Sequence, residues 1–264
     1  EKVLILDTTI YDRSRFSKVE LLSKVYDHCA KRYLNGFRIL TLGWSDGATF
    51  VPCDHAILTS PKEKNRVQGI NKIMDRRTCG ARRRQEAVVK STDLIVPMVK
   101  RALNLSIPAQ FLLMASWFGF RALVRSVMEH INVICMVKNT SKVFYEFEGQ
   151  SLPLSKIYRT IRKRSGKAKI KGSMIVGIGE RKKANSVFVR NRNNVGKWLD
   201  LLCADLSLPD KDVVRIYGKR WDIEVFFKMA KHYLKLDSET QVRDFGSIVA
   251  HSSIVMIRYI FLAV

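Results

Sequence analysis

Tyr217, Arg220, Glu224 and Lys231 all lie within the stretch YGKRWDIEVFFKMAK. On one helix with 3.6 residues per turn, these four positions fall within roughly 60° of one another. Lys228 shares their face. Ile216, Ile223, Phe226, Ala230 and Leu234 form an adjacent apolar stripe suited to docking on a core. The polar face presents one carboxylate among cations and a phenol, an arrangement that suits a metal ligand placed beside phosphates. The plainer alternative is a solvated amphipathic helix, stabilised modestly by pairs such as Glu224 with Lys228.

Such a helix needs elements to position it. Lys2–Thr9 (KVLILDTT) reads as a buried strand carrying Asp7 near its end. Phe37–Leu42 and Thr49–Leu58 read as two further strands, joined by the turn-like Trp44-Ser45-Asp46-Gly47. Helical spacing of Leu21, Leu22 and Val25 predicts a helix over Val19–Tyr33, ended by Gly36. A helix over Glu86–Leu103, interrupted near Pro97, precedes a buried strand at Gln110–Met114. A helix over Phe118–Glu129 and a strand at Asn132–Val137 follow. This alternation implies parallel strands covered by helices. From Lys138 to Val195 the rhythm breaks. Strand-like runs at Val143–Glu148, Ser173–Gly177 and Ser186–Arg190 predict a β-rich insertion. Trp198–Cys203 returns to a buried strand, Pro209 opens the helix that carries Glu224, and Phe245–Leu262 forms a last helix.

The 264 residues include 47 Lys and Arg against 24 Asp and Glu, a formal charge of +23. A folded chain with that excess repels itself unless it meets a polyanion, and nucleic acid is the commonest one. Two tracts concentrate the charge. Lys62–Arg84 holds nine basic residues and two acids, and Lys156–Lys171 holds eight basic residues and no acid. Arg82, Arg83, Arg84, Arg162, Lys163 and Arg164 are therefore candidate DNA contacts. Trp198 and Trp221 could stack on an extruded base, although core tryptophans are the commoner case. The cysteines at 29, 53, 79, 135 and 203 form no CxxC pair, which argues against a zinc knuckle and suits a reducing cytosol. The five histidines show no ligand spacing, and Asp12, Asp46 and Asp54 read as turn or surface residues. The apolar run Ser247–Val264 is interrupted by Arg258 and reads as a buried helix rather than a membrane span. A start at Glu1 rather than methionine reads as a fragment of a longer protein.

Carboxylates on strands and a helix around one point are what two-metal phosphoryl transfer requires. Asp7 supplies one and Glu224 another. The strand that ends in Ala115-Ser116-Trp117-Phe118 would supply the third. With these elements the chain resembles the DDE transposases of bacterial insertion sequences. More closely, it resembles the cut-and-paste group marked by Tyr-x2-Arg-x3-Glu-x6-Lys, present here as Tyr217, Arg220, Glu224 and Lys231 with every spacing intact. Gln241-Val242-Arg243 and Trp198–Asp205 also resemble the family. The resemblance implies an α/β, RNase H-like core in two parts, 1–137 and 196–264. The β-rich insertion 138–195 would lie between the second and third acids, and an N-terminal DNA-binding region would lie outside this sequence. It implies that Tyr217, Arg220 and Lys231 meet phosphates at a transposon end, and Lys228, on the same face, is a further candidate DNA contact. It further implies Mg²⁺ in a two-metal site, with Mn²⁺ able to substitute, and double-stranded DNA as partner, both transposon ends and target. A homodimer would hold two ends in a bacterial cytoplasm at the nucleoid. The family places its second catalytic aspartate directly before Ser-Trp-Phe, where this chain has Ala115. That departure, engineered or natural, predicts a catalytically dead protein. A decayed or domesticated transposase that only binds DNA, or a structure-specific nuclease of the same fold, are the rival readings.

Overall fold

The structure, a computed structural model, describes residues 1–28, 30–70, 75–161, 168–191, 194, 196–238 and 240–263. Strand β1 (Val3–Asp12) opens with four buried residues, Val3 to Leu6, as its continuous apolar run requires. Strands β2 (Ser23–Asp27), β3 (Arg32–Ser45) and β4 (Phe50–Leu58) follow. The helix expected over Val19–Tyr33 does not form. Leu21 has a φ of 59°, which no α-helix accommodates, and Ser23–Asp27 pairs antiparallel with Gly36–Arg32. Gly36 therefore sits inside β3. A Cβ there would lie 2.4 Å from the Tyr11 carbonyl oxygen.

Helices α1 (Cys79–Ala87) and α2 (Ser91–Asn104) replace the single helix expected over Glu86–Leu103. The break falls between Ala87 and Ser91, and Pro97 lies inside α2. Thr78 caps α1 by accepting the Ala81 N–H at 3.2 Å. Next come β5 (Phe111–Met114), α3 (Arg121–Met128) and β6 (Asn132–Val137). The β-rich segment contains β7 (Phe144–Phe147), β8 (Gln150–Pro153), α4 (Leu154–Thr160), β9 (Ile170–Gly179) and β10 (Lys182–Arg190). Strand β11 (Trp198–Cys203) leads to α5 (Asp210–Gly218), α6 (Trp221–His232) and α7 (Phe245–Ala263).

Contacts divide the chain into two compact units. The first comprises Glu1–Ile5 and Ser106–Trp221, the second Leu6–Leu105 and Asp222–Val264, so β1 and α6 each supply residues to both. In the first unit the strands form a large mixed sheet in the order β1-β5-β6-β11-β10-β9-β7-β8. Strands β5 and β6 are parallel, as the strand–helix–strand alternation requires, and every pair from β6 to β8 is antiparallel. Helices α3 and α5 both pack on β6 and β9. The described residues of 138–195 all fall within this unit.

The second unit is built on β3, which pairs with β1 and divides its other edge between two partners. Arg32–Gly36 face β2, and Arg38–Ser45 face β4. Helices α1 and α7 pack on β4, and the Phe226 ring of α6 lies 5.3 Å from Phe50 and 4.8 Å from Tyr259. The last helix is half-buried rather than buried. Ile248, Val255 and Met256 face the core, whereas Ile254, Ile257 and Phe261 are exposed. By length and composition alone α7 could cross a bilayer.

Candidate functional site

The stretch from Tyr217 to Lys231 is not one helix. Lys219 and Arg220 form a turn between α5 and α6, with their N–H groups bonded three residues back, to Ile216 and Tyr217. Tyr217 thus belongs to α5, Arg220 to the turn, and Glu224, Lys228 and Lys231 to α6. The single polar face expected from helical periodicity is replaced by two groups, one in each unit.

In the first unit the group forms at the end of β5. The Tyr217 hydroxyl donates to the Met114 carbonyl at 3.3 Å, at the residue immediately before Ala115. The Arg220 guanidinium lies 5.9 Å from the centre of the Tyr217 ring. Ala115 is half-buried there and carries no donor for a metal or a proton.

In the second unit two anchors set the position of Glu224. At the start of α6, Ser45 donates to the Asp222 carboxylate at 2.6 Å. Near its end, the Lys231 ammonium donates to the Ile10 carbonyl of β1 at 2.5 Å and lies 3.7 Å from Asp237. Arg13 N–H bonds Asn35, and Gly36 abuts Tyr11, so β3 runs antiparallel to β1 and Ser45 lies toward the start of β1. Helix α6 therefore runs in the same direction as β1. Glu224 is seven residues before Lys231, about 10.5 Å along a helix rising ~1.5 Å per residue. Asp7 is three residues before Ile10, about 10 Å along a strand rising ~3.3 Å per residue. Both carboxylates thus lie between the two anchors, Glu224 along α6 and Asp7 along β1. Strand alternation puts Asp7 on the face of Tyr11, whose hydroxyl lies 3.5 Å from that of Thr240 on the chain leaving α6. Asp7 is half-buried and accepts the Thr8 N–H at 2.8 Å. Burial pulls the Arg38 guanidinium below its ordinary pKa, and the negative charges of Asp27 and Asp7 oppose that shift.

The donor set does not fit a two-metal centre. Asp7 and Glu224 are two carboxylates, position 115 holds a methyl group, and no cluster of three His, Cys, Asp or Glu side chains suited to a metal occurs among the described residues.

The basic residues divide by environment. Arg82 is exposed, and Arg83 is half-buried and bonded to Glu86 at 2.7 Å. Arg84 corrects the expectation of a DNA contact. It is buried, 2.7 Å from Glu20 and 2.8 Å from Asp244, and its charge is spent inside the fold. Arg162, Lys163 and Arg164 lie outside the described residues. The Trp198 ring is packed 4.7 Å from Tyr158 and 5.0 Å from Phe188, whereas Trp221 is exposed. Sequence reading passed over Arg13, which is buried and donates to the Thr240 carbonyl at 2.9 Å. It also passed over Asp222, which anchors α6. A lone arginine after a strand and an acid at a helix start carry no distinctive spacing.

No curated protein matches the chain. Among solved structures, it is similar to the NurA nuclease from Sulfolobus solfataricus, at 11% identity and a TM-score of 0.38, covering 98% of this chain and 82% of that one. The family model described as DDE superfamily endonuclease matches residues 1–176, a span that includes Asp7 and Ala115 and stops before α5 and α6. That match takes in well over half of the 264 residues, and the chain belongs to the DDE superfamily endonuclease family.

Proposed function

We propose that this chain is the catalytic domain of a DDE-type transposase that processes insertion-sequence ends, with its DNA chemistry stopped at position 115. The observation that carries the reading is where the two halves of the Tyr-Arg-Glu-Lys signature land. Tyr217 reaches the carbonyl next to position 115, and Glu224 lies on a helix anchored to β1, the strand that carries Asp7. Each half is thus tied to one of the acid positions of the family. Strand connectivity gives further support: in the second unit β4 pairs β3 and β3 pairs β1, and in the first β5 pairs β6 in parallel. On this reading 1–137 and 196–264 are the core and 138–195 is the insertion.

The substrate is double-stranded DNA, bound as transposon ends and as target, with two copies of the chain holding two ends in a bacterial cytoplasm. The unaltered enzyme would hold Mg²⁺ or Mn²⁺, which would supply nucleophile activation and leaving-group stabilisation. With Ala115 the protein's own residues can bind and orient DNA. Arg220 can present a fork of donors to one phosphate, a geometry no lysine copies, and the charge of +23 favours DNA over the free state. The reading in which the chain binds DNA without cutting it is favoured specifically by Ala115.

The test is Ala115→Asp assayed beside the unaltered chain on end-containing duplex DNA with Mg²⁺ or Mn²⁺. The expected result is metal-dependent cleavage and strand transfer by the aspartate form alone, with end binding by both. The reading fails if Ala115→Asp binds ends and never cuts, or if the Ala115 chain cuts at a comparable rate. Cleavage of branched or flapped DNA without strand transfer would assign a structure-specific nuclease instead.

A further inference from the structure

Three cavities of the second unit follow one another along β2 and the start of β3. The first, about 550 Å³, is lined by Arg15 and Arg32. The second, about 400 Å³, shares Arg32 with it and adds Lys24 and Tyr33. The third, about 330 Å³, shares Lys24 with the second and reaches Arg38 and Lys90. The shared residues make the three a row of neighbours. Its cations outnumber its acids, which are Asp12 and Asp237, both in the first cavity. Arg38, in the third cavity, is a guanidinium that feels the charges of Asp27 and Asp7.

Tyr33 gives the run its specificity. It is 71% exposed, and its ring is braced edge-on by Tyr26, 5.1 Å away, its direct partner in the β2–β3 register. An exposed aromatic ring, held by a neighbour within a line of cations, is a stacking platform for a base. A duplex cannot use it, because its bases are already stacked internally and it offers a surface mainly phosphates. We propose that this run of cavities is a track for an unpaired nucleic-acid strand, with Lys24 and Arg32 on its phosphates and Tyr33 stacked on a base. That the strand is DNA separated near Asp7 rests on the functional reading above.

The experiment measures binding of a fluorescent oligothymidylate, and of a duplex of equal length, to the chain and to three variants. Tyr33→Ala should weaken oligothymidylate binding about tenfold, within the range of one lost stack, and leave duplex binding unchanged. Tyr33→Phe should bind as the unaltered chain does, because stacking needs the ring and not the hydroxyl. Lys24→Gln with Arg32→Gln should reduce the salt slope for the single strand by about 1.4, two phosphates at ~0.7 each. The proposal is overturned if Tyr33→Ala binds the single strand normally, or if single strand and duplex weaken alike. It is also overturned if Tyr33→Phe loses as much as Tyr33→Ala. An Ala115→Asp protein that never cuts would remove the transposase reading and leave this binding result standing. Normal single-strand binding by Tyr33→Ala would remove the track and leave cleavage untouched.

Discussion

Arg84 and Arg82 show how differently two basic residues of one short helix can serve one fold. The Arg84 guanidinium donates to both oxygens of Glu20, at 2.8 and 2.7 Å, and to Asp244 at 2.8 Å. Glu20 also accepts the N–H of Phe245, the first residue of α7, at 2.9 Å. One buried pair thus ties the segment before β2, helix α1 and the start of α7 together. Removing one partner of a buried, hydrogen-bonded pair leaves the other charge stranded, at a cost of about 3–5 kcal/mol. Arg84→Ala should therefore lower unfolding stability by that amount and leave the salt slope of DNA binding intact. Arg82→Ala should do the reverse, with stability within ~0.5 kcal/mol of the unaltered chain and a duplex salt slope smaller by about 0.9 if Arg82 neutralises one phosphate. Denaturant titration beside salt-dependent binding separates the two. A stable Arg84→Ala protein with weakened DNA binding would return Arg84 to the DNA-facing set.

At the scale of elements, Gly36 reports how tightly β3 lies against β1. A methyl group there would meet a backbone oxygen at 2.4 Å, and a backbone oxygen inside a sheet cannot swing aside. Gly36→Ala should cost at least about 2 kcal/mol. Gly69→Ala, where no atom lies within 4 Å of the added carbon, should be close to neutral. Equal melting temperatures for the two would mean that β3 is not held against β1 as described. The same element explains where sequence reading went astray. Leu21, Leu22 and Val25 have helical spacing, yet they anchor a loop and the short strand β2, because hairpin pairing with β3 outweighs helical periodicity. By contrast, Asn132–Val137 and Trp198–Cys203 were legible to the residue, since short, largely apolar runs bounded by polar residues have few other ways to be buried. The division between α5 and α6 was hidden. Tyr217, Arg220, Glu224 and Lys231 keep helical spacing through Gly218, and only the three-residue hydrogen bonds at Lys219 and Arg220 reveal the turn. The types of the site residues could be read from spacing, whereas their partners, Met114 for Tyr217 and Ile10 for Lys231, arise from tertiary contacts.

Across the whole molecule, the two units carry buried titratable groups that respond to pH in opposite senses. In the first unit Asp200 is buried on β11 with a hydrogen bond from Ser186, and burial pushes its carboxyl from the ordinary 3.8 up to about 7. The folded state keeps this proton where the unfolded chain has already released it. The resulting stability is full below about pH 4 and is lost as pH rises to about 7, an effect on the order of 4 kcal/mol. In the second unit His55 is buried, with its ring nitrogen 2.9 Å from the Ser252 hydroxyl, and burial pushes it from 6.5 down to about 4. Here the unfolded chain takes the proton first on acidification. That stability is full above about pH 6.5 and is lost as pH falls to about 4, an effect on the order of 3 kcal/mol. Between pH 4 and 6.5 the first unit should weaken with rising pH while the second strengthens. Amide hydrogen exchange, corrected for intrinsic rates, reads the two separately through β10–β11 and β3–β4. Protection in β10–β11 should fall from pH 4.5 to 7 and that in β3–β4 should rise. Asp200→Asn should flatten only the first trend and His55→Gln only the second. Trends of the same sign in both units, or a first-unit trend that survives Asp200→Asn, would show that these two buried groups do not set the pH response.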